Sequence, residues 1–320
     1  MGSVRAHGRT VEVPVGGFEH EVLFYRDDEG FLAGLVPFIR EGLERDEDVV
    51  VAEPRPRTEL LRDALGGDAG AVTFLDMAEI GANPARIIGV WAAALDKQTA
   101  AGRQLRGVGE PAFHGRRDLE FVECQLHEQL LNHAFDGGPA WRLLCPYDEV
   151  RLPRAVVRAA LRTHPIRTTV TERLPSADYA RHGHVEAFAA PLPKPTDAVL
   201  RGSYGPRDIP ATRRTVAQYA RRVGLSDEQV EALELAASEL ATNSIRHGGG
   251  GGTLAMWLER DAMVVEFTDS GHLADPLTGR ISPPLESPAG RGLYLVHQLC
   301  DLVQVRSSPQ GTTVRVLTWL

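Results

Sequence analysis

One helix-length pattern near the C-terminal end constrains this chain more than any other stretch. In Glu239-Leu-Ala-Thr-Asn243-Ser-Ile-Arg-His247 a carboxylate, a carboxamide and an imidazole recur at i, i+4 and i+8. At the helical repeat those groups share one face. Asp269-Ser-Gly271, Gly290-Arg-Gly292 and Gly311-Thr312 follow in that order. Alone, each piece is ordinary. A polar helix face is usually solvated, Asp-x-Gly is usually a turn, and Gly-x-Gly before a helix is often only a loop. Their order and spacing together predict a pocket for a nucleotide and a metal ion.

Each residue type has a chemical reason to be there. The Asn243 carboxamide oxygen is a hard, neutral ligand suited to Mg²⁺, which keeps several waters and takes other ligands from phosphates. Glu239, one turn earlier, is placed to accept a proton from an attacking hydroxyl or to orient water. Asp269 ends an expected strand, where its carboxylate can accept from an exocyclic amine such as that of adenine. Gly271 lets a flat ring approach the backbone. Gly290 and Gly292 precede an expected helix, whose free amides would form an anion site, and Arg291 adds positive charge.

The surrounding pattern divides the chain of 320 residues in two. Strand-like runs at 20–25, 48–52, 71–75, 104–108 and 141–145 alternate with helical patterns at 31–44, 58–65, 84–101, 119–135 and 153–162. That alternation predicts a doubly wound, mostly parallel sheet. Prolines 175, 191, 193 and 195 punctuate a weak stretch that reads as a linker. Beyond it, helices at 209–223 and from Ser226 to near His247 precede hairpins at 253–268 and 302–317. Ser226 with Gln229 forms a capping box. Helices followed by antiparallel strands predict an α+β sandwich. The expected boundaries are a tail at 1–17, an α/β domain at 18–170, a linker at 171–197 and the α+β domain with the nucleotide pocket at 198–320.

Composition limits the alternatives. A net charge of −8 with a pI near 5.8 gives no basic face for direct nucleic-acid binding. Three scattered cysteines, Cys124, Cys145 and Cys300, fit a reducing compartment better than a disulfide framework. With no signal-peptide core and no long apolar run, the expectation is a cytoplasmic protein that does not enter a membrane.

Residues 198–320 resemble the GHKL (Bergerat) ATP-binding fold shared by histidine kinases and anti-sigma-factor serine/threonine kinases. The resemblance rests on Glu239-Leu-Ala-Thr-Asn243-Ser-Ile-Arg-His247 as the N box and on Asp269-Ser-Gly271 as the next box. Residues 272–289 correspond to the lid, Gly290-Arg-Gly292-Leu293 to the Gly box, and Gly311-Thr312-Thr313 to the last box. It implies that Asn243 holds Mg²⁺, Glu239 is the general base and Asp269 reads adenine. Gly290, Gly292 and Leu293 would line the phosphate and lid side, with Thr312 near Asp269. The family's second box commonly reads Asp-x-Gly-x-Gly; here Leu273 replaces the last glycine. The preceding segment, around Arg181-His-Gly-His184, lacks the paired long helices of a histidine kinase. The resemblance therefore implies an anti-sigma regulator that binds a sigma factor or phosphorylates a Ser/Thr on an antagonist. A non-catalytic ATP-binding adaptor is the alternative, and a histidine kinase a weaker one. The family commonly dimerises.

The first domain carries no P-loop, and Asp27-Asp-Glu-Gly30 after its first strand would repel phosphate. Ligands of such sheets bind at the carboxyl ends of the strands. Those ends carry Glu53-Pro54, Asp76, Gly109-Glu110-Pro111 and Cys145-Pro-Tyr-Asp148, either as helix caps or as a sensor cleft. Cys124, His127 and His133 share a helix, but His133 falls off the common face, which argues against zinc there. Residues 18–170 resemble the MEDS sensory domain, a RecA/KaiC-like fold without a working P-loop. The stretches that carry it are 38–43, 83–86, 109–111, 127–132, 145–148 and 163–165. The resemblance implies sensing of an unidentified small molecule.

Overall fold

Mostly parallel pairing in the first half and antiparallel pairing in the second give two differently built sheets. The computed structural model describes residues 3–6, 9–12, 17–195, 200–284 and 290–320. It divides into two units, Met1–His184 and Val185–Leu320.

In the first unit, β1 (Ser3–Ala6) and β2 (Arg9–Glu12) pair as a short hairpin within the expected tail. The main elements are β3 (Phe18–Tyr25), α1 (Asp28–Glu44), β4 (Asp48–Glu53), α2 (Arg55–Leu65) and β5 (Thr73–Asp76). They continue with α3 (Met77–Ile80), α4 (Ile87–Ala100), β6 (Leu105–Gly109), α5 (Asp118–Ala134), β7 (Trp141–Asp148) and α6 (Arg154–Thr163). Strand order is β5-β4-β6-β7-β3, parallel throughout. Val49–Glu53 and all of β6 are buried, as expected for a parallel sheet covered on both faces. Phe31, Leu35 and Ile39 of α1 pack with Val51, Val108 and Leu144 beneath them. The buried guanidinium of Arg106 ties β6 to α1, bonding Glu47 at 2.5 Å, Glu41 at 2.8 Å and the Phe38 carbonyl at 3.1 Å.

The sheet extends further than the sequence pattern predicts. β8 (Ile166–Thr168) joins β3 in parallel and β9 (Arg173–Pro175) pairs antiparallel with β8. This hairpin carries the sheet into the stretch read as a linker from 171. Three-residue strands are too short to show a period of two. The linker stretch also contains a short helix, α7 (Gly183–Ala189).

The second unit runs β10 (Leu200–Tyr204), α8 (Ile209–Val223), α9 (Asp227–His247), β11 (Gly252–Glu259), β12 (Ala262–Asp269), α10 (Arg291–Leu299), β13 (Leu302–Ser308) and β14 (Gly311–Trp319). Its antiparallel sheet has the order β10-β11-β12-β14-β13. The helix α9 packs between α8 and α10 and against β11 and β12, making a helical layer over the sheet. Its N-terminus has the reciprocal capping box: Gln229 N–H donates to Ser226 Oγ and Ser226 N–H to Gln229 Oε1. The sequence pattern does not reveal β10, because it is an edge strand exposed at every position but Tyr204. Of the expected lid, residues 285–289 lie outside the described residues.

Candidate functional site

In the second unit, Leu240, Asn243, Ser244 and His247 of α9 form one wall of a cavity of about 350 Å³. Asp269 at the end of β12, Gly271, Leu273, Gly290, Gly292, Leu293 and Thr312 complete its lining. Four separate sequence motifs thus meet at one cavity. Asn243 is half-buried, while His247 and Arg291 are exposed.

Backbone closeness explains the glycines. The peptide of Gly271 runs so near the end of α9 that a Cβ would overlap the His247 carbonyl, and one at Gly248 would strike the Asp269 carboxylate. Gly290 caps α10 at φ 86°, a left-handed conformation that glycine adopts without penalty. Gly292 lies inside the first turn of α10, not before it. Its missing side chain leaves space for the Glu239 carboxylate, which a Cβ there would meet. Glu239 is not part of the cavity lining; it stands behind the Gly292 turn.

Asp269 is held by two donors. Its Oδ1 accepts from Gly271 N–H at 2.8 Å, and its Oδ2 accepts from Ser244 Oγ at 2.6 Å. Ser244 in turn accepts from the Tyr204 hydroxyl at 2.8 Å. Burial raises the Tyr204 pKa, keeping the phenol a donor. Sheet order puts Thr312 of β14 directly across from Asp269. The Thr312 hydroxyl donates to the Gly271 carbonyl at 2.8 Å and lies 2.7 Å from Ser307 Oγ, which accepts from Leu273 N–H at 2.8 Å. Leu273, in the place of the missing glycine, is therefore fixed by its backbone at the start of the expected lid. Sequence reasoning missed Ser244, Tyr204 and Ser307. Ser244 is adjacent to Asn243 and could have been found, but Tyr204 sits on the unrecognised edge strand.

In the first unit, parallel register aligns the acidic strand ends on one rim, pairing Glu53 with Asp76 and Tyr25 with Asp148. The acids then separate by role. Asp76 caps α3 by accepting from Ala78 N–H at 2.9 Å, and Asp148 accepts from the amides of Val150 and Arg151, also at 2.9 Å. Glu53 and Glu110 cap nothing. They end β4 and follow β6, adjacent strands whose outgoing connections part to opposite sides, the crevice position of open α/β sheets. Both are buried, and Glu110 accepts from the Tyr25 hydroxyl at 2.9 Å. Burial raises the Glu110 carboxyl to about 7 despite the opposing Glu53, Tyr25 and Arg57. Burial, reinforced by Glu110, pushes Glu53 well up.

Along the chain, an α/β unit precedes an α+β sandwich that holds this cavity. Residues 19–165 match the MEDS family (MEthanogen/methylotroph, DcmR Sensory domain), and residues 203–318 match the histidine kinase-like ATPase domain. The serine-protein kinase RsbW of Halalkalibacterium halodurans is 30% identical over 112 residues, covering 31% of this chain and 68% of that one. The RsbW of Bacillus subtilis is 28% identical over 129 residues, covering 36% of this chain and 80% of its own. A solved structure of RsbU and RsbW domains from Mycobacterium tuberculosis aligns at 17% identity with a TM-score of 0.30. It covers 39% of this chain and 33% of that one, and adds nothing to the assignment. The chain belongs to the histidine kinase-like ATPases of the anti-sigma serine-protein kinase type, here joined to a MEDS domain. Among the described residues, no helix is long and apolar enough to cross a membrane.

Proposed function

We propose that this chain is a signal-responsive regulator of the partner-switching kind. Its second unit binds Mg-ATP and phosphorylates a Ser or Thr on an antagonist protein, and engages a sigma factor. Its first unit, a RecA/KaiC-like sensor, responds to a small molecule not yet identified. The observation that carries the proposal is the meeting of Asn243, Asp269, Gly292 and Thr312 at one cavity, with Glu239 behind its glycine turn. The serine-protein kinases it resembles support the chemistry.

The residues fit such a ligand. The glycine backbones leave space for a flat ring and for phosphates, and the Asn243 carboxamide supplies a neutral oxygen for Mg²⁺. Asp269 keeps lone pairs for an exocyclic amine after accepting from Ser244 and Gly271. The first turn of α10, with Gly290, Gly292, Leu293 and Arg291, presents free amides and positive charge to phosphate. His247 borders the same cavity at the end of α9. When bound, Mg-ATP supplies the phosphoryl group and neutralises its charge. Glu239 accepts the proton of the incoming hydroxyl.

Asn243→Ala is expected to abolish Mg-ATP binding in calorimetry; unchanged affinity removes the pocket assignment. Single-turnover labelling of antagonist proteins with γ-labelled ATP tests the chemistry. Transfer surviving Glu239→Ala removes Glu239 as the base. Binding without transfer to any partner favours a non-catalytic adaptor, and an acid-labile, base-stable phosphate on the chain itself favours a histidine kinase.

A further inference from the structure

A second cluster of polar side chains is buried in the first unit. His20 of β3, Glu128 of α5, Cys145 of β7 and His164, just after α6, bring one ligand atom each to within 4.8 Å of one another. All four are at most 1% exposed. The His20 Nε2 lies 3.0 Å from Glu128 Oε2 and 3.4 Å from Cys145 Sγ. The same carboxylate oxygen lies 3.5 Å from His164 Nε2 and 3.9 Å from the Cys145 sulfur. A tetrahedral ion with bonds of ~2.0–2.3 Å holds its ligand atoms about 3.3–3.8 Å apart, close to this spread.

The outer contacts point the donors inward. Asn132 donates its amide hydrogens to the carbonyls of Glu128 at 3.1 Å and Thr163 at 2.7 Å. Its oxygen is thereby turned to His20 Nδ1, 3.2 Å away, which must carry the proton. His164 Nδ1 lies 2.8 Å from the Ala160 carbonyl, which can only accept. Both imidazoles therefore present a bare Nε2 lone pair to the cluster, the arrangement in which a second contact fixes a ligating histidine. Tyr147 donates to the other Glu128 oxygen at 3.0 Å and fixes the carboxylate plane.

Without a cation this arrangement is poorly satisfied. Two lone pairs face one carboxyl proton and one weak S–H donor, the Cys145 thiol 3.4 Å from His20 Nε2, and His164 Nε2 still has no hydrogen-bond partner. An unpaired buried acceptor has lost its hydration with nothing in exchange. A divalent ion resolves both problems. It takes both lone pairs, and a thiolate and a carboxylate cancel its charge, so no net charge is buried.

We propose that His20, Glu128, Cys145 and His164 form a closed, four-ligand site for a divalent transition-metal ion of the zinc type. Two imidazoles, a thiolate and a carboxylate suit Zn²⁺ or Co²⁺ and would select against Mg²⁺. With four protein ligands and no exposed face, the site is structural rather than hydrolytic. It ties together three elements of the sheet-and-helix core and the chain leaving α6. Sequence reasoning considered Cys124, His127 and His133 on α5 and missed this set, whose members are up to 144 residues apart, from 20 to 164. Cys124 points elsewhere, donating to the Pro111 carbonyl at 3.2 Å.

The test uses the full chain, purified reduced and stripped by chelation, then titrated with Co²⁺ and Zn²⁺. Binding of about one equivalent is expected. Co²⁺ should give the visible bands of four-coordinate geometry and a thiolate charge-transfer band in the near ultraviolet. Cys145→Ser should lose the charge-transfer band, while Cys124→Ser, a buried thiol outside the cluster, should keep it. Asn132→Ala, which frees His20 without removing a ligand, should bind roughly 10–100-fold more weakly. A folded wild-type chain that takes up no Co²⁺, or that binds it without a thiolate band, overturns the proposal even if the variants fail to fold. A band surviving Cys145→Ser, or unchanged affinity in folded Asn132→Ala, overturns it as well.

Discussion

Exchanging the Asp269 carboxylate for an amide should invert the base preference of the second unit. In the structure, Oδ1 accepts from Gly271 N–H at 2.8 Å and Oδ2 from Ser244 at 2.6 Å. In Asp269→Asn the Gly271 amide still requires an oxygen at Oδ1, so the new nitrogen occupies the Oδ2 position. There it becomes a donor beside Ser244, which already accepts from Tyr204 at 2.8 Å. The carboxamide keeps the size of the side chain, so the fold is expected to persist. The amine of adenine would then meet a donor instead of a charged acceptor. A hydrogen bond to a charged group contributes about 1.5–3 kcal/mol, so ATP affinity should fall roughly 10- to 150-fold. Inosine triphosphate, with a carbonyl in place of the amine, should bind the wild type weakly and the variant better than ATP. Calorimetry with both nucleotides on both proteins reads this directly, with matched thermal melts as the folding control. Equal wild-type affinity for the two nucleotides, or unchanged ATP affinity in Asp269→Asn, would refute the reasoning.

Two further outcomes follow from the same geometry. Gly292→Ala places a methyl against the Glu239 carboxylate; phosphoryl transfer to an antagonist should drop at least ~10-fold while thermal stability changes little, and full activity would show that Glu239 can move without cost. The rim acids predict a pH dependence for the first unit. Unfolded, Glu110 titrates near 4.5, whereas folded it holds its proton to about 7. The folded state therefore binds the extra proton, and this contribution to stability is complete below 4.5 and lost as pH rises through 7. Glu110→Gln should remove that share of the slope in urea midpoints measured from pH 5 to 8; an identical slope in the variant would contradict it.

How much of the site is legible in sequence depends on where each contact is made. The stripe of Glu239, Asn243 and His247 is local, set by the helical repeat between a capping box at Ser226 and the glycines after His247. The pairing of Asp269 with Thr312 is not local. It exists because β14 inserts between β12 and β13, an order that hydrophobic period cannot reveal. The edge strand β10 was invisible for a related reason: four of its five residues are exposed, so it has no buried face to mark it. Yet it supplies Tyr204, which supports Ser244 and through it Asp269.

By itself, the sequence determined the alternation that makes a parallel sheet, the helices and hairpins of the second unit, and the order of motifs that point to nucleotide chemistry. Those are consequences of periodicity, capping and turn residues acting over a few positions. Only the tertiary structure decided that Glu239 stands behind Gly292, that Glu53 and Glu110 are buried together while Asp76 caps a helix and Asp148 closes a turn, and that His20, Glu128, Cys145 and His164 converge. Each of these depends on which strands lie side by side and how closely backbones approach. Packing of the whole chain sets those quantities, and no short window of residues contains them.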